Sequence, residues 1–295
     1  THDGVAFDFQ GAGEYVITES LEGAPLLVQG RFEPMRNTPD LPACGNVTVM
    51  TAVATTLGDR RIGIYRDRDP SLWIDGAPHQ LGVAPLDLPD GAELGKQGSG
   101  AYVVKWPDGN SIRVRVGNFM RLDFLVTAER VGQFSGLLGF FNGDSSDDFV
   151  TRDGEQLWTP LDFETKYDTF GESWRVAEAE DSLFDYDDGQ GPDDFYIAGF
   201  PSAPAKIDDF PEELATEARG VCTERDISDP VRLDACILDY VCSKDPTLAD
   251  DAADTPDPDA VMEEPFLLIG QVRAARRADD WTTPDDSDNR CQPPI

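Results

Sequence analysis

Histidine is almost missing from this chain: His2 and His79 are its two copies in 295 residues. Cysteine is nearly as scarce, with Cys44, Cys222, Cys236, Cys242 and Cys291. None of the five forms a Cys-x-x-Cys pair and neither histidine lies near them, so a structural zinc site is excluded. Five cysteines are also too few for a disulfide-built scaffold; four of them lie in the last third, which suits local staples in an oxidising compartment. Basic residues are outnumbered, 24 Lys plus Arg against 57 Asp plus Glu, for a net charge of −33. Phosphate neutralisation needs a basic face, so nucleic acid is excluded as a partner. No apolar run reaches about 18 residues, so no helical membrane span is expected. No Gly-x-Ser-x-Gly elbow or glycine-rich phosphate loop is present. The chain opens at Thr1 without methionine or a leader, which reads as a processed or trimmed fragment.

What is present begins with short strands. Val5–Phe9, Tyr15–Thr18, Leu26–Phe32 and Val47–Val53 carry alternating or β-branched character. Asp75-Gly76 and Pro107-Asp-Gly-Asn110 are hairpin turn signals, the second between Ala101–Trp106 and Ser111–Val116. In the latter, Ile112, Val114 and Val116 alternate with Arg113 and Arg115, the pattern of a half-exposed strand. Phe119–Val126 adds another. Many short strands with regular turns predict an antiparallel β-sandwich or barrel. Trp73, Trp106 and Trp158 read as packing aromatics within it.

Composition shifts after Trp174. Residues 178–206 are rich in Asp, Gly and Pro and read as an acidic linker. Helix signals follow: Asp209 or a neighbour capping a helix with Pro211 in its first turn, running towards Cys222, Asp229-Pro230 opening a second, and Asp245-Pro246 a short third. Residues 207–256 thus form a smaller cysteine-containing helical module, and residues 257–295 a C-terminal helix (Glu264–Arg277) and polar tail. Consecutive helices would bring Cys222, Cys236 and Cys242 close, which predicts a pairing among them. Cys44 and Cys291 are expected to form a long staple, with one cysteine of the five left over.

The most distinctive stretch is Gly136-Leu-Leu-Gly-Phe-Phe-Asn-Gly-Asp-Ser-Ser-Asp-Asp-Phe149. An apolar run ends at Gly139, and Asn142, Asp144, Ser146, Asp147 and Asp148 follow at near-alternate spacing around glycine. So many carboxyl and amide oxygens repel one another unless a cation gathers them. Calcium takes six to eight oxygens in irregular geometry and suits such a loop; magnesium prefers fewer carboxylates and more water. The twelve-residue ligand series of an EF-hand is missing.

Three stretches together resemble a known family. Thr1–Ile17 is similar to the opening of a von Willebrand factor type D domain, Gly136–Phe149 to its Gly-Leu-Cys-Gly-Asn-Tyr-Asn-Gly-Asp signature, and Phe170-Gly-Glu-Ser-Trp-Arg-Val176 to its closing segment. The resemblance spans roughly residues 1–177, and the segments around Cys222 and Cys236–Cys242 resemble, more weakly, the cysteine-rich helical module that often follows. It implies a secreted or cell-surface β-rich domain with calcium in the acidic loop. By position, Asn142, Asp147 and Asp148 would serve by side chain, Asp144 by its backbone carbonyl, and Asp3 from across the opening strand. Two departures from the signature stand out: Leu138 replaces the cysteine that braces the loop and Phe140 replaces an asparagine, so Ser146 or water would complete the site.

The function implied is that of a calcium-binding structural or adhesion module. Its partner would be an extracellular protein, a matrix component or another copy of the chain. Two alternatives accompany it. One is a secreted enzyme, a hydrolase or a luciferase-like protein on the same fold. The other is an assembly module released by self-processing at an Asp-Pro bond upstream of Thr1.

Overall fold

A computed structural model of the protein describes residues 1–253 except 24, 36–40, 89–90, 99 and 228. The described chain is mainly β, as the alternating segments predict: twelve strands in two antiparallel sheets, with helices near its end. In the first sheet are β1 (Gly13–Ser20), β2 (Leu27–Pro34), β3 (Thr48–Leu57), β4 (Arg60–Tyr65), β5 (Leu72–Ile74) and β6 (Ala77–Pro78). The second holds β7 (Leu86–Asp87), β8 (Glu93–Gln97), β9 (Ala101–Lys105), β10 (Ser111–Arg115) and β11 (Arg121–Leu125). A short β12 (Phe134–Ser135) returns to the first sheet beside β1, giving the order β12-β1-β2-β3-β4-β5-β6.

Local turn chemistry sets the registers. Asp75 and Gly76 both take positive φ, 50° and 79°, the two-residue turn that matches the twist of β5 and β6. Ile112 pairs with Val104 and Phe124 across the second sheet, so its face points inward as the Ile/Val alternation requires. The inner faces of the two sheets meet in one core. Val28, Ile62 and Ile64 from the first sheet and Leu94, Val104, Ile112 and Val114 from the second are almost wholly buried. Each such side chain contributes about 1.5–3 kcal/mol by leaving water. Trp106 is buried there with its indole nitrogen donating to the Thr56 carbonyl, 3.0 Å. Trp158 departs from the packing expectation: it is 79% exposed.

Val5–Phe9 does not join a sheet. The edges of β1 are occupied by β2 on one side and by β12 and the Tyr15–Arg175 bridge on the other. Phe7 instead packs edge-on against Phe149 and Phe170, and Phe9 edge-on against Tyr15 and at a tilt against Tyr167. Phe170 and Tyr167 belong to a π-helical turn, Thr165–Gly171, that the strand-dominated reading does not contain.

Residues 178–206, expected as a linker, lie against the outer face of the first sheet. The Gln29 side chain donates to the Asp181 carbonyl and accepts from the Leu183 N–H. Glu14, fully buried, pairs with Arg31 at 2.7 Å and accepts hydrogen bonds from Ser182 and Tyr186. The Arg31 guanidinium lies 3.5 Å from the centre of the Phe195 ring. Asp185 is held by Arg61 and by the Tyr65 hydroxyl.

Three helices follow: α1 (Glu212–Thr223), α2 (Pro230–Ser243) and α3 (Pro246–Ala253). Asp229 caps α2 by accepting from the Arg232 N–H, as expected of Asp-Pro. Asp209 does not cap α1; its carboxylate accepts from Lys206 and closes a 3-10 turn, Ile207–Asp209, one step earlier. Two disulfides form, Cys222–Cys236 between α1 and α2 and Cys44–Cys242 between sheet and module. The expected Cys44–Cys291 staple is therefore corrected: Cys44, in the turn Pro42–Asn46, is brought to α2 by a shared apolar cluster with Val47, Phe210, Ile237 and Val241. Cys291 and the expected helix Glu264–Arg277 lie outside the described residues.

Candidate metal centre

The acidic loop hangs from β12 and is fixed to β1 before any carboxylate is placed. Leu137 and Leu138 donate to the carbonyls of Val16 and Ile17, both at 3.1 Å. At Gly139, φ is 76° and a Cβ would come within 2.5 Å of an Asp148 carboxylate oxygen, so only glycine lets the two strands of the loop approach. Phe149 then anchors the far end in the aromatic cluster with Phe7 and Phe170.

Asp3 reaches the loop through its neighbour. His2 is 1% exposed, donates its backbone N–H to the Leu138 carbonyl at 2.6 Å, and hydrogen-bonds Thr18 through Nε2 at 3.0 Å. Its ring stacks on Phe134 and meets Phe124 edge-on. Burial drives the His2 pKa down to about 3, so the imidazole is neutral at physiological pH. His2 is thus a positioning residue for Asp3. The sequence signal was its adjacency to an acid, but its apolar cage is assembled from residues more than a hundred positions away.

Asp3, Asp147 and Asp148 present carboxylate oxygens that all lie within 4.8 Å of one another. Asp148 is wholly buried; its two oxygens and Oδ1 of Asp147 make no well-aligned hydrogen bond, and Thr1 is the neighbour that favours the ionised Asp148. Burial pushes the Asp148 carboxyl up to about 8; a hydrogen bond from Thr1 opposes the rise, and the charges of Asp3 and Asp147 add to it. Asp3 is also raised, chiefly by burial, against the opposing pull of backbone N–H groups at Gly143, Asn142 and Asp144.

The remaining expected ligands are placed differently. Asn142 borders the trio: its N–H donates to Asp3 at 3.2 Å, its side-chain amide to Asp147 at 2.8 Å, and its Oδ1 accepts from the Asp144 N–H. Asp144 is exposed, and its carboxylate turns away to cap Ser145–Asp147, accepting from the N–H and hydroxyl of Ser146. Those hydrogen bonds hold its carboxyl below the usual carboxylate range. Buried carboxylate oxygens beside two further acids are a donor set suited to a hard cation. His79 sits at the β5–β6 hairpin, its N–H donating to Leu72, away from this loop.

Two antiparallel sheets sharing one core, closed by an acidic loop against the chain's opening residues, define a β-rich class of domain. Residues 1–155 match the von Willebrand factor type D domain, and the chain belongs to that family. Among curated proteins it is similar to Sushi domain-containing protein 2 of Homo sapiens, 30% identical over 194 residues. That similarity covers 63% of this chain and 23% of the human protein, so the chain spans under a quarter of that relative's length.

Proposed function

We propose that the chain is a calcium-stabilised structural module of a larger extracellular protein, contributing to adhesion or assembly. The observation that carries this reading is the buried carboxylate of Asp148 with those of Asp3 and Asp147 gathered beside it. Calcium would be held by these three carboxylates, with the side chain of Asn142 and the backbone carbonyl of Asp144 within the same loop. Bound there, it supplies positive charge that lets Asp148 ionise in its buried setting. It also ties the opening residues, through Asp3, to the loop that follows β12. Family membership and the two disulfides support an extracellular setting. Among the described residues no helix is long and apolar enough to cross a membrane.

A ligand that binds only the native state stabilises it by about 2.7 kcal/mol at a hundredfold excess over Kd. For a chain of this size that corresponds to a rise of about 4–5 °C in melting temperature. Scanning calorimetry in calcium against chelator is expected to show it, and Asp148→Asn and Asp3→Asn to abolish it. An unchanged melt for the unmutated chain sinks the proposal. A calcium-dependent pull-down from extracellular extracts would then identify the partner, which the loop itself does not specify.

A further inference from the structure

Where α2 leans over the opening residues, the two sheets and the helix enclose a cavity of about 280 Å³. Its walls are apolar, with Phe9, Phe32 and Met50 on the sandwich side and Ala235 and Leu238 on the helix. Four charged residues also line it: Asp8, Arg121, Arg232 and Asp239. Arg121 is engaged with Asp123 at 2.7 Å, and Arg232 is engaged as well. Asp8 accepts one hydrogen bond from the neutral Gln10 amide. Asp239 makes no hydrogen bond or ion pair among the described residues. The cavity, open on one side, therefore combines apolar walls with two acids, the exposed Asp8 and the half-buried Asp239, that no described cation pairs with.

We propose that this cavity is a binding site for a small amphipathic amine, its apolar body among Phe9, Phe32 and Met50 and its protonated nitrogen facing Asp8 and Asp239. A neutral apolar ligand would satisfy the walls and ignore the carboxyls. An anionic one would meet two like charges. Burial, reinforced by the charge of Asp8, pushes the half-buried Asp239 carboxyl up to about 7, a rise that a bound cation would oppose. Apolar pockets with few convergent polar groups are the usual form of small-ligand sites. This site is separate from the calcium proposal, because neither acid belongs to the loop trio.

The test is isothermal titration of the full chain at pH 8 with octylamine, octan-1-ol and octanoate. The amine is expected to bind at least tenfold more tightly than octanoate and several-fold more tightly than the alcohol. Asp239→Asn should remove about tenfold of the amine's affinity and leave the alcohol unchanged. Met50→Trp should fill the cavity and exclude all three, and Ala235→Leu does the same from the helix side should the tryptophan variant misfold. Octanoate binding as tightly as the amine, equal affinity for all three, or no binding by the unmutated chain would each overturn the proposal. So would a dimer that dissociates on Ala235→Leu and takes up none of the ligands, which would assign the cavity to a second copy of the chain.

Discussion

Glu14 and Arg31 face each other across β1 and β2, with side chains 0% and 7% exposed. Burial pushes the Glu14 carboxyl up while the Arg31 guanidinium pulls it down, so the pair is useful only as a pair. Removing one member strands the other's charge, at a cost of about 3–5 kcal/mol. Arg31→Met is therefore expected to lower the unfolding free energy measured in urea by that amount, and adding Glu14→Leu to recover most of it. In β2, Gln29 and Arg31 share one face, and alternation alone cannot say what covers it. Ser182, Phe184, Tyr186 and Phe195 do so, from a stretch whose Asp, Gly and Pro content signals a linker. In the loop, oxygen-bearing side chains were legible from their spacing and Asp3 from the resemblance. The role of His2, and the outward turn of the Asp144 carboxylate, depend on distant packing and on Ser146.

The hairpins at Asp75-Gly76 and Pro107–Asn110 were legible because turn residues act on their immediate neighbours. Disulfide partners were not, since connectivity follows from the approach of elements far apart in sequence. Cys44–Cys242 spans a sequence separation of 198 and Cys222–Cys236 one of 14. In the chain-entropy view these closures contribute about 5 and about 3 kcal/mol. The longer bond also decides where the helices sit. A Cys44→Ser, Cys242→Ser double variant is expected to leave the sheet signal in circular dichroism intact. Limited proteolysis, read by mass spectrometry, should then cut the segment between Phe200 and α1 much earlier than in the parent. The Cys222→Ser, Cys236→Ser variant should expose only the turn between α1 and α2, and equal cleavage patterns for both variants would contradict this division.

At the scale of the whole molecule, the net charge of −33 opposes compaction everywhere at once. Ordinary salt screens it, with a Debye length of about 10 Å at 0.1 M. The melting temperature in chelator should therefore rise with sodium chloride from about 10 mM to physiological strength. Calcium at matched ionic strength should add a further increment in the parent chain and none in Asp148→Asn. A variant that loses both responses together would mean that diffuse screening, and not a site, accounts for the calcium effect. The tether between Cys44 and Cys242 has a mechanical side as well. Under tension along the chain, the covalent bond keeps the backbone between those residues, the second sheet and the acidic loop included, from being drawn out. Asp3 lies outside that stretch, so its contact with Asp147 and Asp148 is where a pull from the amino-terminal side would first be felt.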